Sequence, residues 1–242
     1  MSDSLDARLL HWFAVHGRDL PWRHTRDPYA ILVSEVMLQQ TQVERVVPRY
    51  LAWLERWPTL EALASASPAD VIREWQGLGY NRRGLSLHRA ARLIADSGWP
   101  DDLTQLPGVG PYTSAALRCF AFDEDVLPVD VNVERVMSRT SAEFSSGAAQ
   151  ALMDLGATIC LARIPRCDAC PLAVECPSRG IREEPRRKQG PFEGSFRQLR
   201  ASTLRTVAEA PRELASLDDD AVRSLERDGL VVVDDGRVTL PG

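Results

Sequence analysis

The chain has 242 residues, of which 44% are hydrophobic and 26% are charged, and its formal net charge is −5. This composition is ordinary for a globular protein of one to three domains. The N-terminal stretch MSDSLDARLL lacks the basic-then-apolar pattern of an export signal. No apolar run approaches the ~18 residues that span a bilayer. We therefore expect a soluble cytoplasmic protein without a membrane partner.

Basic and acidic residues are unevenly distributed along the chain. Arginines crowd the stretch from Arg163 to Arg200, whereas the tail from Glu209 onward is acidic. The basic stretch is compatible with a solvated linker or with a surface that faces phosphates, and charge alone leaves both interpretations open. Lys188 is the only lysine, so nearly every positive side chain is a guanidinium.

Apolar residues recur at helical spacing through the first two-thirds of the chain, which predicts an all-α region. Predicted helices lie near residues 9–15, 31–38, 46–54, 60–66, 68–77, 83–97, 112–121 and 131–139. The charged segment EEPRRKQGPFEG (183–194) indicates a linker. Beyond it, helices are predicted at 198–208 and 218–228, and GLVVVDDGRVTLPG predicts a hairpin around an Asp-Gly turn. These last elements indicate a small winged-helix-like α+β module.

The cysteines are concentrated in one segment, CLARIPRCDACPLAVEC (160–176), which contains Cys160, Cys167, Cys170 and Cys176. In a reducing compartment such a cluster favours a metal site over disulfides. Zinc accepts four thiolates, typically as two short C-x2–4-C pairs, but only one short pair is present here. Iron–sulfur clusters use unequal arms, so spacing alone leaves both metals open. Cys119 lies apart in an apolar helix and is predicted to be a buried hydrophobic residue.

The segment LPGVGPYT (106–113) predicts a tight turn that leads into a helix. Gly108 and Gly110 allow a close backbone turn, and Pro111 suits the first turn of the helix that follows. Amides exposed at such a turn and helix start bind phosphate groups. A simple connection between two helices is the alternative.

Two carboxylates occupy contrasting sequence surroundings. Asp130, in LPVDVNVERV, precedes a predicted helix, where an aspartate serves as the N-cap and is kept anionic by the helix dipole. Glu35, in ILVSEVML, has apolar neighbours on both sides, and burial would favour its protonated, proton-donating form. A surface or partner-bonded glutamate is the alternative. One ionised and one protonated carboxyl group can cleave a glycosidic bond through an oxocarbenium-like state.

Six segments together resemble the MutY-type adenine DNA glycosylases of the helix-hairpin-helix, endonuclease III-like superfamily. In chain order they are LPWR (20–23), SEVMLQQTQV (34–43), WQGLGY (75–80), LPGVGPYT (106–113), ALMDLGATIC (151–160) and the cysteine segment. The resemblance covers roughly residues 8–180. It implies an all-α helix-hairpin-helix glycosylase fold and a [4Fe–4S] cluster on the four clustered cysteines.

The resemblance also implies a domain organisation. The glycosylase core would span 1–182, with a six-helix barrel at 22–130 and an iron–sulfur domain formed by 1–21 and 131–182. A linker at 183–197 would lead to the winged-helix-like module at 198–242.

The same resemblance assigns the chemistry. Glu35 would protonate N7 of adenine, and Asp130 would stabilise the sugar cation, with or without a covalent intermediate. Tyr112 and Asn132 would assist at the reaction centre. The adenine pocket would be lined by Leu20, Trp22, Arg23 and Gln150.

The implied partner is double-stranded DNA with adenine opposite 8-oxoguanine or guanine, bound by a monomer that would be nucleoid-associated in a bacterium. The stacked base must be flipped out before its glycosidic bond can be reached. The implied DNA-contacting residues are Leu38, Gln40, Thr41, Leu78, Tyr80, Gly108, Val109 and Gly110. Of these, Gln40 and Tyr80 would wedge into the duplex, with Thr41 and Leu78 near the estranged 8-oxoguanine.

The single lysine bears on the reaction's outcome. Glycosylases that also cut the strand need an amine for a Schiff base. Endonuclease III-like enzymes place it two residues after the second hairpin glycine, where this chain has Tyr112. Lys188 lies in the predicted linker instead. We therefore expect a monofunctional glycosylase.

The chain departs from the family pattern at three places. Val131 stands where glycine is common, the segment SAEFSSGAA (141–149) is short, and the NUDIX-like C-terminal domain of many MutY proteins has no counterpart in the sequence. Two other functions stay open: a mismatch glycosylase for thymine or uracil, and a non-catalytic iron–sulfur protein that binds DNA.

Overall fold

The computed structural model describes residues 4–184 and 190–242, so Lys188 lies outside the described residues. Within these ranges the α-helices are α1 (Leu5–His16), α2 (Pro28–Leu38), α3 (Val43–Arg56), α4 (Leu60–Ala64), α5 (Pro68–Glu74), α6 (Arg82–Ser97), α7 (Pro111–Phe120), α8 (Val131–Thr140), α9 (Ala149–Thr158), α10 (Phe196–Glu209) and α11 (Asp219–Arg227). The strands are β1 (Arg212–Glu213), β2 (Val232–Asp234) and β3 (Arg237–Thr239). The expected helical fold with a small C-terminal α+β module is confirmed.

Side-chain caps fix several helix starts. Ser4, Thr59, Ser67, Ser195 and Asp218 each accept a hydrogen bond from a backbone amide in the first turn of the helix that follows. Such caps satisfy amides that have no partner within the helix, and each contributes about 1 kcal/mol. In the described residues, no helix is long and apolar enough to cross a membrane.

The chain forms two compact units. Among the described residues, the first comprises 4–31 and 111–184. Its core packs Leu9 of α1 with apolar side chains of α8 and α9, including Val133, Leu152 and Leu155. The packing therefore brings the N-terminal helix against the helices that flank the candidate site in this unit.

The second unit comprises residues 32–110 and 190–242 of the described chain. Trp53 packs edge-on against both Trp57 and Trp75, with ring centroids 4.6 and 5.4 Å apart. Edge-to-face aromatic pairs of this kind stabilise a core beyond the area that they bury. The predicted boundaries at 22–130, 131–182 and 183–197 stay predictions.

The C-terminal module is part of the core of the second unit. Its sheet has the order β1–β3–β2, with both pairs antiparallel. The hairpin turns at Asp235 and Gly236, both left-handed with φ of 45° and 75°, as the Asp-Gly signal predicts. Leu204, Val222 and Leu225 share one cluster with Ile72 of α5 and Leu85 of α6. The module therefore packs on α5 and α6.

Candidate functional site

Asp130 is the N-cap of α8, as predicted. Its Oδ1 accepts hydrogen bonds from the amides of Asn132 (2.9 Å) and Val133 (2.7 Å), and its Oδ2 accepts one from Nδ2 of Asn132 (2.9 Å). The carboxylate thus lies at the positive end of the helix and is held by three donors. This arrangement fixes the orientation of a half-buried anion.

Asn132 is itself fixed by Arg135, a residue that the sequence did not single out. Nη2 of Arg135 donates to Oδ1 of Asn132 (2.9 Å) and to the Gly156 carbonyl (2.7 Å), and Nε donates to the Cys160 carbonyl (2.7 Å). A Cβ at Gly156 would lie 2.8 Å from Cβ of Asn132, so glycine permits the close approach of α9. A chain of hydrogen bonds therefore links the cysteine segment to Asp130.

Glu35 lies in α2 and is 7% exposed, which rules out the surface alternative. Its neighbours Val33 and Val36 are fully buried, and every residue from 30 to 37 is buried. The helix therefore carries a carboxyl group within a buried segment that is apolar apart from Ser34. Tyr112 is half-buried in the first turn of α7, in the other unit.

Three of the four predicted pocket residues line one open cavity of about 460 Å³ in the first unit. They are Trp22, Arg23 and Gln150. Leu20 is buried and does not line it. Cys119 does line it, so the expectation of a fully buried cysteine was wrong. The apolar sequence of α7 suggested burial, but the C-terminal end of this helix, with Cys119 and Phe120, faces the cavity.

The walls of this cavity are held by Asp154, which is fully buried. Arg23 donates Nη1 to Oδ2 (2.9 Å) and Nη2 to Oδ1 (2.8 Å) of Asp154, and Arg18 donates its amide and Nε at 2.8 Å each. Burial by itself would raise the pKa of Asp154, but the bonds from Arg23 and Arg18 outweigh it and keep that pKa below its ordinary value. We call these three residues the Asp154 clamp.

The clamp was not predicted because its partners are 131 and 136 residues apart in the chain. The one available signal was an acidic residue in the middle of the apolar helix ALMDLGATIC. The clamp ties the LPWR segment to α9, the helix that carries Gln150.

The predicted DNA-contacting residues of the second unit form two adjacent loops. We call residues 39–41 and 78–80 the wedge loops. Gln40 and Tyr80 are exposed and have left-handed backbones, with φ of 57° and 47°. Thr41 is half-buried, and its hydroxyl donates to the Leu78 carbonyl at 3.3 Å. Leu38, half-buried, ends α2 directly before the first loop, whereas the Leu78 side chain is buried.

Arg83, another residue that the sequence did not single out, lies between the wedge loops. Its Nη1 donates to the carbonyls of Val36, Met37 and Gln39, and its Nη2 donates to Oγ1 of Thr41 and to the carbonyls of Leu78 and Gly79. Burial lowers the pKa of Arg83 to about 10, so it is still a cation at neutral pH.

The predicted hairpin turn is present. Gly108 is left-handed with φ of 83°, and a Cβ there would lie 2.9 Å from Cβ of Ser86. Only glycine therefore fits both its conformation and its surroundings. Val109 is buried, Gly110 is exposed, and Nε2 of Gln39 donates to the Gly108 carbonyl at 3.1 Å. The hydrogen bond ties the hairpin to the first wedge loop.

All four clustered cysteines line one cavity, together with Arg139. Burial, together with the smaller effect of the other three sulfurs, raises the pKa of the Cys170 thiol to about 11. Nη1 of Arg139 lies 3.5 Å from the Cys160 sulfur, and the Gly180 amide donates to the Cys167 sulfur at 3.3 Å. Sulfur atoms that accept such bonds suit thiolate ligands of an iron–sulfur cluster. Over residues 4–184 and 190–242, no three His, Cys, Asp or Glu side chains are close enough to hold a single ion.

Comparison with known proteins identifies a family for this chain. Residues 33–153 match the model of the HhH-GPD superfamily base excision DNA repair protein. The adenine DNA glycosylase of Mycobacterium tuberculosis is 42% identical over 98% of this chain and 93% of its own length. The human adenine DNA glycosylase is 37% identical over 77% of this chain and 42% of its length.

Among solved structures, a thermostable thymine-DNA glycosylase aligns with a TM-score of 0.65 and 28% identity, covering 72% of this chain and 94% of that one. The fold, the sequence motifs and the 42% identity over nearly the whole chain all indicate the same family. The chain belongs to the HhH-GPD superfamily of base excision DNA repair proteins and, within it, to the MutY-type adenine DNA glycosylases.

Proposed function

We propose that this protein removes adenine mispaired with 8-oxoguanine or guanine by hydrolysing the N-glycosidic bond, and that it leaves the DNA strand intact. The near-full-length relatives support adenine as the base. The observation that carries the chemistry is the contrast between two carboxyl groups. Glu35 is buried in an apolar helix, whereas Asp130 accepts three hydrogen bonds at a helix N-terminus.

Each environment suits a different step. An apolar segment favours the neutral carboxylic acid, so Glu35 would donate a proton to N7 of adenine and make the base a leaving group. The three donors fixed around Asp130 orient its carboxylate, which would stabilise the positive sugar as the bond breaks. Asn132 would orient Asp130, and Tyr112 would assist at the same centre. Water then completes the hydrolysis.

The adenine must leave the helical stack before this chemistry can begin. We propose that Gln40 and Tyr80 enter the duplex from the wedge loops and that Trp22, Arg23 and Gln150 receive the base. Leu78 and Val109 are buried, so their side chains would support the loops that meet the DNA. The amides near Gly108 and Gly110 would bind phosphate. One chain carries all of these residues, so the enzyme would act as a monomer. Because its substrate would be genomic DNA, it would be cytoplasmic and nucleoid-associated in a bacterium.

Members of this superfamily commonly carry a [4Fe–4S] cluster. The four cysteines that line one cavity would hold it here, and the iron ions of the bound cluster would supply the positive charge that turns these half-buried thiols into thiolates. Its role would be to order the segment from Cys160 to Cys176, whose Arg163 and Arg166 are exposed.

The test is a base-release assay on duplexes that contain A:8-oxoguanine, A:G or T:G. We expect release from the first two, and a loss of at least about 10²-fold in single-turnover rate for Glu35→Gln and Asp130→Asn. Glu44→Gln, an exposed glutamate on α3, is the matched control and retains the wild-type rate. Equal activity of all four proteins would remove the assigned chemistry.

The T:G arm tests a second candidate function, because the thymine-DNA glycosylase structure is also similar. Release of thymine but not adenine would establish that alternative. Duplex binding without any base release would establish a non-catalytic DNA-binding protein.

The monofunctional outcome has its own experiment. Tyr112 stands where a Schiff-base lysine would be needed. We expect abasic product that breaks only after heat or alkali. Efficient strand cutting without such treatment, abolished in Lys188→Ala, would overturn this part of the proposal.

A further inference from the structure

Arg83 contacts both wedge loops, and its surroundings suggest a specific role. It follows the second loop at the start of α6, and its guanidinium accounts for six contacts to residues 36–41 and 78–79. We propose that Arg83 is a positioning residue that joins the two wedge loops into one preformed piece for insertion into DNA. The inference rests on the proposed function, because it takes Gln40 and Tyr80 as the inserting residues.

The first loop leaves the C-terminal end of α2, where helix carbonyls lack partners. Nη1 of Arg83 reaches the carbonyls of Val36 at 2.9 Å and Met37 at 3.1 Å, and also that of Gln39. A cation at this end of a helix is favoured by the dipole. Arg83 therefore ends α2 at a defined place and fixes where the first loop begins.

Nη2 of the same guanidinium fixes the second loop. It donates to the carbonyls of Leu78 (3.2 Å) and Gly79 (3.0 Å), and to Oγ1 of Thr41 (3.0 Å). Cζ of Arg83 also lies over the Trp75 and Tyr80 rings, at 5.4 and 5.5 Å from their centroids. One rigid group thus binds the backbone of both loops and the ring of a wedge residue.

The backbone of each wedge residue explains why such a group is needed. Gln40 and Tyr80 are left-handed, a conformation that non-glycine residues adopt only when the surroundings hold them there. Arg83 binds the carbonyls of Gln39 and Gly79, each directly before one of these residues. Its bonds therefore oppose relaxation at both positions. Loops that are ordered beforehand lose less entropy when they enter the duplex.

Lysine is the informative substitution. It keeps the positive charge, but its single nitrogen cannot form the planar fork that reaches both loops. The matched control is Arg82→Lys, because Arg82 is the adjacent residue on α6 and its side chain is 72% exposed. Both variants are assayed under single-turnover conditions on two duplexes, with adenine opposite 8-oxoguanine or opposite an abasic-site analogue. In the second duplex no opposing base has to be separated from the adenine.

On the duplex with adenine opposite 8-oxoguanine (the paired duplex), we expect Arg83→Lys to lower the single-turnover rate by at least about tenfold, since small displacements of positioned groups have large effects on rate. On the abasic-analogue duplex the loss should stay within about threefold, and Arg82→Lys should match wild type on both. Equal losses on the two duplexes would mean a general structural role and would overturn the inference. A wild-type protein that releases no adenine would contradict the proposed function instead.

A double-mutant cycle with Tyr80→Ala adds a readout that a purely structural role would not move. If Arg83 acts by positioning the wedge loops, then adding Arg83→Lys to the Tyr80→Ala variant should lower the single-turnover rate by no more than about threefold. If the rate loss of the double variant equalled the product of the losses of the two single variants, the residues would act independently and the proposal would fail.

Discussion

The Asp154 clamp and the Arg83 site are two partly buried arginine clusters built on opposite principles. In the clamp, two guanidinium groups surround one carboxylate whose side chain is 1% exposed. At the Arg83 site, the described partners are backbone carbonyls, one hydroxyl and two aromatic rings. The clamp pairs positive side chains with a negative one, whereas at the Arg83 site a single positive charge is stabilised by the dipoles of several carbonyl groups and a hydroxyl.

This difference separates two uses of the same side chain. A charge pair depends on each partner, so the removal of one leaves an uncompensated buried charge. A cation among carbonyls keeps most of its partners when one is lost, but their positions relative to each other depend on it. We therefore expect changes in the clamp to act mainly on stability and changes at Arg83 to act mainly on DNA handling.

The largest effect on stability should come from Asp154→Asn. The substitution keeps the shape but leaves the charges of Arg18 and Arg23 without a counterion, and the loss of one partner in a buried pair costs about 3–5 kcal/mol. Urea denaturation measures this loss in the free energy of unfolding. Asp168→Asn is the control, because that carboxylate pairs with Arg179 while 98% exposed, and we expect no measurable change. Similar midpoints for the two variants would show that the clamp contributes little.

A smaller effect is expected for Arg83→Lys in the same measurement. The ammonium group retains part of the hydrogen bonding, so the free energy of unfolding should fall by about 1–2 kcal/mol. The comparison therefore predicts opposite rankings in two assays: Asp154→Asn is the worse variant in urea, and Arg83→Lys has the larger ratio between paired and abasic-analogue duplexes. A single ranking in both assays would contradict the contrast between the clusters.

The sequence predicted features whose signals are local. Apolar spacing predicted α6, an aspartate before a helix predicted the Asp130 N-cap, and Asp235-Gly236 predicted the hairpin. In each case the residues that define the feature are close neighbours in the chain. The two-residue strand β1 was missed, since Arg212 and Glu213 carry no apolar alternation and pair with β3 only in the folded module.

Arg18, Arg83, Arg135 and Asp154 were missed for a related reason. Arg83 and Arg135 bind mainly carbonyl oxygens, which every residue possesses, so no residue type marks the partner. Arg18 and Asp154 do form a charge pair, but 136 residues separate them. The predicted site residues lie in segments that resemble a family, whereas the contacts of Arg18, Arg83, Arg135 and Asp154 became visible only through the fold.

The smallest expected effect is a pH dependence that only the clamp should show. Because the pKa of Asp154 is lower in the folded protein, its stabilising contribution is complete above the ordinary aspartate value of about 3.9. It is lost as the pH falls from there through the folded pKa. The stability difference between wild type and Asp154→Asn should therefore be constant from about pH 8 to pH 5 and should shrink only below about pH 3.9.

Arg83 provides the internal reference for this measurement. Its pKa, although lowered by burial to about 10, lies far above the acidic range, so it gains or loses no proton there. The stability difference between wild type and Arg83→Lys should accordingly stay flat over the whole interval. If that difference also shrank in acid, carboxylates would be contributing at the Arg83 site and the contrast between the two clusters would not hold. If neither difference changed, the folded pKa of Asp154 would have to equal its unfolded value, and the bonds from Arg18 and Arg23 would only offset the effect of burial.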